Sequence, residues 1–288
     1  CKCDDKVDMV TRERGAFENV ARDPERPIMS RFLLQQVSPL CLTVAVLLAC
    51  AVASATAEHA ATTQDQQASL FRLCSLGRAT VELGSAEHFA VLSTGSVTDA
   101  GGSQINGDMG TSTGTTLPVY APYSPGTPGL NGDLHPNTAT AIDARAAAIS
   151  ALDDIKSRSD CETELGGDVE LGGRTLTPGL YTSTESMHLT SGNLILDALG
   201  HPNAVFIFRT PGLITSTENR KVLLAGGANP NHIFWSAGTG ANFAAYTTME
   251  GNIFAGTEIT YAAYCTHHGR AFAMGTACTL SSTLIGAE

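Results

Sequence analysis

The chain has 288 residues, with 17 Lys and Arg against 28 Asp and Glu, a formal net charge of −11. That balance argues against nucleic acid and anionic membrane as partners, because both reward basic patches. Aromatic residues make up only 6% while glycines number 29, which suits tight turns and close backbone approach.

In chain order, residues 1–28 mix charges without hydrophobic periodicity, and the sequence starts at Cys1 rather than Met. They read as an untranslated or non-native leader. Residues 29–57 have the layout of a secretory signal peptide: Arg31 near the start, an apolar run over 39–53, and Ala55-Thr56-Ala57 as a cleavage site. That run is shorter than the roughly twenty residues a membrane span prefers. A secreted, extracellular product is therefore expected. Residues 58–82 read as a flexible lead-in, and residues 83–288 as one all-β domain.

Cys74, Cys161, Cys265 and Cys278 follow the cleavage site. An even number in an exported chain allows two disulfides, with Cys265 and Cys278 in neighbouring coils and Cys74 with Cys161 by elimination. Buried free thiols are the alternative. No Asn-x-Ser/Thr acceptor occurs, so N-glycosylation is not expected.

The first strands fall within residues 83–96. Residues 113–136 are dominated by Pro, Gly, Thr and Tyr and read as a loop-rich cap. Residues 138–157 form the one convincing helix: Ile142, Ile149, Leu152 and Ile155 recur on one face, with Ala139 and Ala146 between them. Thr138 or Asn137 can cap its start, and its apolar stripe predicts packing along the side of a β body.

From residue 166 onward the chain is short strands and Gly, Asn and Thr turns. Aligning Phe208, Phe234, Phe254 and Phe272 gives steps of 26, 20 and 18 residues, each a short apolar strand, a Gly-containing turn and a Thr-rich strand. Such periods suit the coils of a β-solenoid. Side chains alternate along a strand, so inward Ile259 and Cys278 place Thr260 and Thr279 outward. With Thr215 and Asn242 these predict a ladder of small neutral groups, and Thr239, Thr257 and Thr276 fall at its edge.

Several motifs combine into a resemblance. The segment 166–181 (GGDVELGGRTLTPGLY), then Ala204-Val-Phe-Ile-Phe208, Asn231-His-Ile-Phe-Trp235, Glu250-Gly-Asn-Ile-Phe254 and Gly269-Arg-Ala-Phe-Ala273, resemble in order the microbial ice-binding (antifreeze) protein family. Residues 83–92 and 105–110 are similar to its first strand and turn. The resemblance implies a right-handed, discontinuous β-solenoid of triangular section, with one long helix along a side. It also implies a non-enzymatic protein that adsorbs to ice, gives thermal hysteresis and inhibits recrystallisation. Members carry Thr-Ala/Gly-x-Thr/Asn repeats, which Thr239-Gly-Ala-Asn242 and Thr276-Ala277-Cys-Thr279 fit. Thr257-Glu-Ile-Thr260 departs from that pattern at Glu258.

The candidate ice-binding residues are thus Thr215, Thr239, Asn242, Thr257, Thr260, Thr276, Ala277 and Thr279. No catalytic residue, metal or cofactor is expected, and the chain is expected to act as a monomer. Gly110-Thr-Ser112-Thr-Gly114 matches a hydrolase motif but lacks the helix that motif requires after it. Cys265-Thr-His267-His268 lacks a second cluster to complete a metal site. A polysaccharide-active β-helix enzyme would need converging carboxylates where these repeats put small neutral residues. An adhesive or structural solenoid is the other alternative.

Overall fold

The computed structural model describes residues 78–114, 116–118, 121–122 and 129–286. The leader, the signal-peptide segment, most of the lead-in and Cys74 lie outside the described residues, as do parts of the cap. Among the described residues, no helix is long and apolar enough to cross a membrane.

The described strands pair in parallel and make three faces. The first stacks Glu162–Glu164, Gly179–Thr182, Phe206–Thr210 and Ile233–Ala237, then the later halves of Thr248–Ala255 and Thr266–Ala273. It continues through Phe89–Ser93, Asp108–Thr111 and Leu134–Pro136. The second face runs Val169–Glu170, Met187–Leu189, Ile214–Ser216, Ala241–Phe243, Glu258–Tyr261, Ala277–Leu280 and Ser96–Asp99. The third begins with Thr175–Leu176, Leu194–Asp197 and Val222–Ala225, and a single bridge from Lys221 to Thr248 leads on to the early halves of the two long strands. Leu284–Gly286, Gln104–Asn106, Gly129–Asn131 and Ala121–Pro122 complete it. The two long strands turn the corner between faces at Gly251 (φ 101°) and Gly269 (φ 153°). A Cβ on Gly269 would lie 1.9 Å from the Gly251 carbonyl oxygen, so only glycine lets these corners stack.

The coils are built from both ends of the chain. Phe89–Ser93, Ser96–Asp99 and Gln104–Asn106 add one further coil beside the last C-terminal one, across about 180 residues of sequence. The cap was expected to be loop without strands, but its described residues include short paired strands. Its strands Gly129–Asn131 and Leu134–Pro136 pair with Gln104–Asn106 and Asp108–Thr111, because short edge segments find partners that no local periodicity reveals.

Among the described residues the α-helix is α1 (Ala139–Ser157), capped by Thr138, whose Oγ1 accepts from Ala141 N–H at 3.3 Å. Its buried stripe is Ala141, Ala144, Ala148 and Ala151, with Leu152 and Ile155. The predicted stripe is corrected at its first members: Ile142 is 48% exposed, and Ala139 and Ala146 also face solvent. The reason lies in the sheet beneath. Leu92, Leu180, Val205, Ile207, Phe234, Phe254 and Phe272 already fill the interface, and the alanines along most of the stripe let the helix axis come close enough to seal it.

The interior holds a second apolar cluster. Phe208 stacks on Trp235 with centroids 4.0 Å apart, and Trp235 Nε1 donates to the Glu250 carbonyl at 2.8 Å. The sequence alignment of the phenylalanines slips here. Phe208 pairs with Trp235, while Phe234 pairs with Ile207 on one side and Asn252 on the other. A one-residue shift reverses the side a residue faces, so Phe208 is interior and Phe234 lies under α1.

The proposed Cys265–Cys278 disulfide does not form; both are buried free thiols. Cys278 points inward from the middle of its strand, whereas Cys265 sits at a corner and donates to the Ala244 carbonyl at 3.2 Å. Burial pushes the Cys278 thiol up to about 12 and also raises Cys265. Cys161 is disulfide-bonded.

Candidate functional site: a ladder of small side chains

The second face carries the candidate site. Every strand in it alternates an inward apolar residue with an outward polar one, because parallel strands keep strict period-two alternation. Val169, Met187, Ile214, Ala241, Ile259, Cys278 and Val97 point into the core. The residues that follow them line up outward: Glu170, His188, Thr215, Asn242, Thr260, Thr279 and Thr98, each the register partner of the next. Five of the seven are Thr or Asn in an unbroken row, about 19 Å long at a strand spacing of roughly 4.8 Å. Helix α1 packs on the first face, and among the described residues no helix lies over this one.

Among the sequence-predicted residues, Thr215, Asn242, Thr260 and Thr279 occupy this one column. Thr239, Thr257 and Thr276 form a second, exposed row at the corner leading into the face. Their backbones are tied in sequence: Thr257 N–H donates to the Thr239 carbonyl at 2.6 Å and Thr276 N–H to the Thr257 carbonyl at 2.8 Å. Thr257 Oγ1 also donates to the Thr239 carbonyl, at 3.0 Å, which fixes its rotamer. Ala277 stands in a third row, paired with Glu258 on one side and Ser96 on the other.

Sequence reasoning missed Thr98, Ser96 and His188. The alternation Ser96-Val97-Thr98 was a legible signal, but its place in the row depends on pairing with Ala277–Leu280. Thr98 Oγ1 and Thr279 Oγ1 are 3.4 Å apart, so the N-terminal strand extends the ladder without a break.

The ladder is electrically lopsided. At its Glu170 end, His188 Nδ1 lies 2.8 Å from Thr215 Oγ1 and its Nε2 lies 3.4 Å from Asp168. Partial burial works against ionising Glu170, but the Thr190 hydroxyl and the N–H groups of Thr190 and Gly172 outweigh it and hold the carboxyl below its ordinary range. The rows from Thr215 to Thr98 carry no ionisable side chain in the central column. Glu258, one row aside, is exposed. From Thr215 to Thr98 the central column presents small, neutral side chains at a regular repeat.

A sequence model of the family described as "Ice-binding-like" matches residues 91–286. A relative from Nostoc sp. (strain HG1), called "Ice-binding protein", is 34% identical over 60% of this chain and 61% of its own. The chain spans about three fifths of the length of the curated relatives it matches first. The crystal structure of an ice-binding protein from an Antarctic biological consortium superposes with a TM-score of 0.66 at 38% identity, covering 72% of this chain and 91% of that one. That of the Antarctic ascomycete Antarctomyces psychrotrophicus gives 0.65 at 30% identity, covering 73% and 99%.

Proposed function

The chain belongs to the Ice-binding-like family, and from that premise we propose that it is a secreted, monomeric protein that adsorbs to ice through its second face. It is not an enzyme. Adsorption gives thermal hysteresis and inhibits recrystallisation. The observation that carries this reading is the in-register row Thr215, Asn242, Thr260, Thr279 and Thr98 on the uncovered sheet. Export is supported by the signal-peptide layout of residues 29–57.

The physical case rests on what ice offers. A crystal face has no charge, pocket or reactive bond, so recognition comes from area, flatness and spacing. Parallel strands fix the spacing through backbone hydrogen bonds. Thr has few χ1 states, so little side-chain entropy is lost on adsorption. Its methyl group disfavours liquid-like hydration, while its hydroxyl holds a water, and bridging waters bind nearly as well as direct contacts. The ladder thus orders a water layer that merges with the crystal. Adsorbed molecules leave the ice front bulging between them, and that curvature opposes growth.

The test is Thr260→Tyr and Thr279→Tyr, each checked for native circular dichroism before thermal hysteresis and recrystallisation imaging. Several-fold loss of hysteresis in both is expected, since one bulky ring lifts the flanking rungs off the ice plane. Full hysteresis in a folded Thr260→Tyr protein would falsify the assignment of this face.

A further inference from the structure

Away from the ladder, at the capped end, Asp108, Asp133 and His135 converge. Asp108 opens the strand Asp108–Thr111, and His135 sits in the adjacent Leu134–Pro136, where it pairs with Gly110. Asp133 precedes that strand, and its backbone N–H donates to Asp108 Oδ1 at 2.9 Å. This bond orients the Asp108 carboxylate and leaves Oδ2 3.4 Å from His135 Nε2. One ligand atom from each of the three residues lies within 4.8 Å of the other two.

Two further features distinguish the group from a solvated acidic patch. His135 Nε2 is buried yet makes no hydrogen bond among the described residues, its approach to Asp108 included. The ring is itself positioned by Phe89, with centroids 5.2 Å apart. The Nε2–Oδ2 separation also matches a coordination edge. Tetrahedral ligands at about 2.0–2.1 Å from a zinc ion are roughly 3.3–3.4 Å apart, whereas neighbouring ligands of an octahedron with the same bonds are about 3 Å apart.

We propose that Asp108, Asp133 and His135 bind a divalent cation of the zinc class, with a fourth position open to water. An imidazole with two carboxylates suits that ion better than calcium or magnesium, which take oxygen ligands alone. The Asp133 N–H bond to Asp108 is the outer contact that holds a ligand in place. The ion clips Asp108–Thr111 to Leu134–Pro136 two residues before Thr138, the cap of α1, and so ties the start of the helix to the coils. The proposal is independent of ice binding.

The experiment takes the full chain, stripped by chelator, and titrates it with zinc chloride at neutral pH by calorimetry and by thermal unfolding. One equivalent is expected, with a raised Tm. His135→Gln and Asp133→Asn should each weaken binding about tenfold or more and abolish the Tm rise. Cobalt in place of zinc should give tetrahedral visible bands that His135→Gln removes. Asp133 is exposed, so Asp133→Asn is expected to fold even if His135→Gln does not. No zinc uptake, or unchanged zinc affinity in Asp133→Asn, overturns the proposal.

Discussion

The first and second faces share one backbone design and differ only in what their outward rows carry. Both are parallel ladders climbed by the same coils. On the first, Ile207, Phe234, Phe254 and Phe272 point outward and are sealed by the alanine stripe of α1. On the second, Thr215, Asn242, Thr260 and Thr279 point outward and stay open. The same scaffold therefore yields a covered core on one side and a row of small polar groups on the other, and residue size decides which. Large apolar groups must be covered, whereas small hydroxyl and amide groups tolerate water and keep the plane even.

The contrast predicts that stability and ice activity respond separately. The largest effect is expected for Phe254→Ala. The side chain is fully buried beneath the helix, and its loss should cost about 3–5 kcal/mol in urea unfolding. Hysteresis per folded molecule should be unchanged; a parallel fall in both would mean that the covered face also serves ice.

A pH titration separates the faces more gently. His267 is fully buried between Tyr261 Oη at 2.8 Å and the Gly251 carbonyl at 2.7 Å. Burial lowers it from 6.5 to about 4, so the native state holds it neutral. An unfolded chain binds the proton first. The stability that neutral His267 contributes is therefore full above about pH 6.5, declines as pH falls, and is lost by about pH 4, a change of about 3 kcal/mol. The Thr and Asn row does not titrate in this range, so ice activity of the folded fraction should stay level. Unfolding curves at pH 7 and pH 4.5 decide it, and equal midpoints would sink the claim.

The smallest effect is expected for Glu258→Ser, which removes an exposed carboxylate beside the ladder and leaves stability within about 0.5 kcal/mol. Hysteresis should rise, because the carboxylate keeps its own hydration shell next to the plane. A drop would instead give Glu258 a positive part in the contact.

Much of the ladder was legible because strand alternation is local: Ile259 inward implies Thr260 outward without any knowledge of neighbours. Its final rung was not. Thr98 joins through Ser96–Asp99 pairing with Ala277–Leu280, a contact across about 180 residues that no window of sequence reports. The helix was legible as a helix, and Leu152 and Ile155 as part of its buried side, but Ile142 looked like core and Ala144 and Ala148 did not. Burial there follows the shape of the phenylalanine row beneath, which lies far away in the chain. The Asp108, Asp133 and His135 group was hidden for the same reason, spread over two strands that meet only in the cap.

By itself, then, the sequence determined the β-coil architecture and the polarity of each strand's two sides, because both follow from period-two alternation and short glycine-rich turns. Only the tertiary structure decided register, which face the helix covers and how the N-terminal strands close the last coil. Those depend on side chains fitting across distant segments, and a shift of a single residue, as between Phe208 and Phe234, exchanges inside for outside.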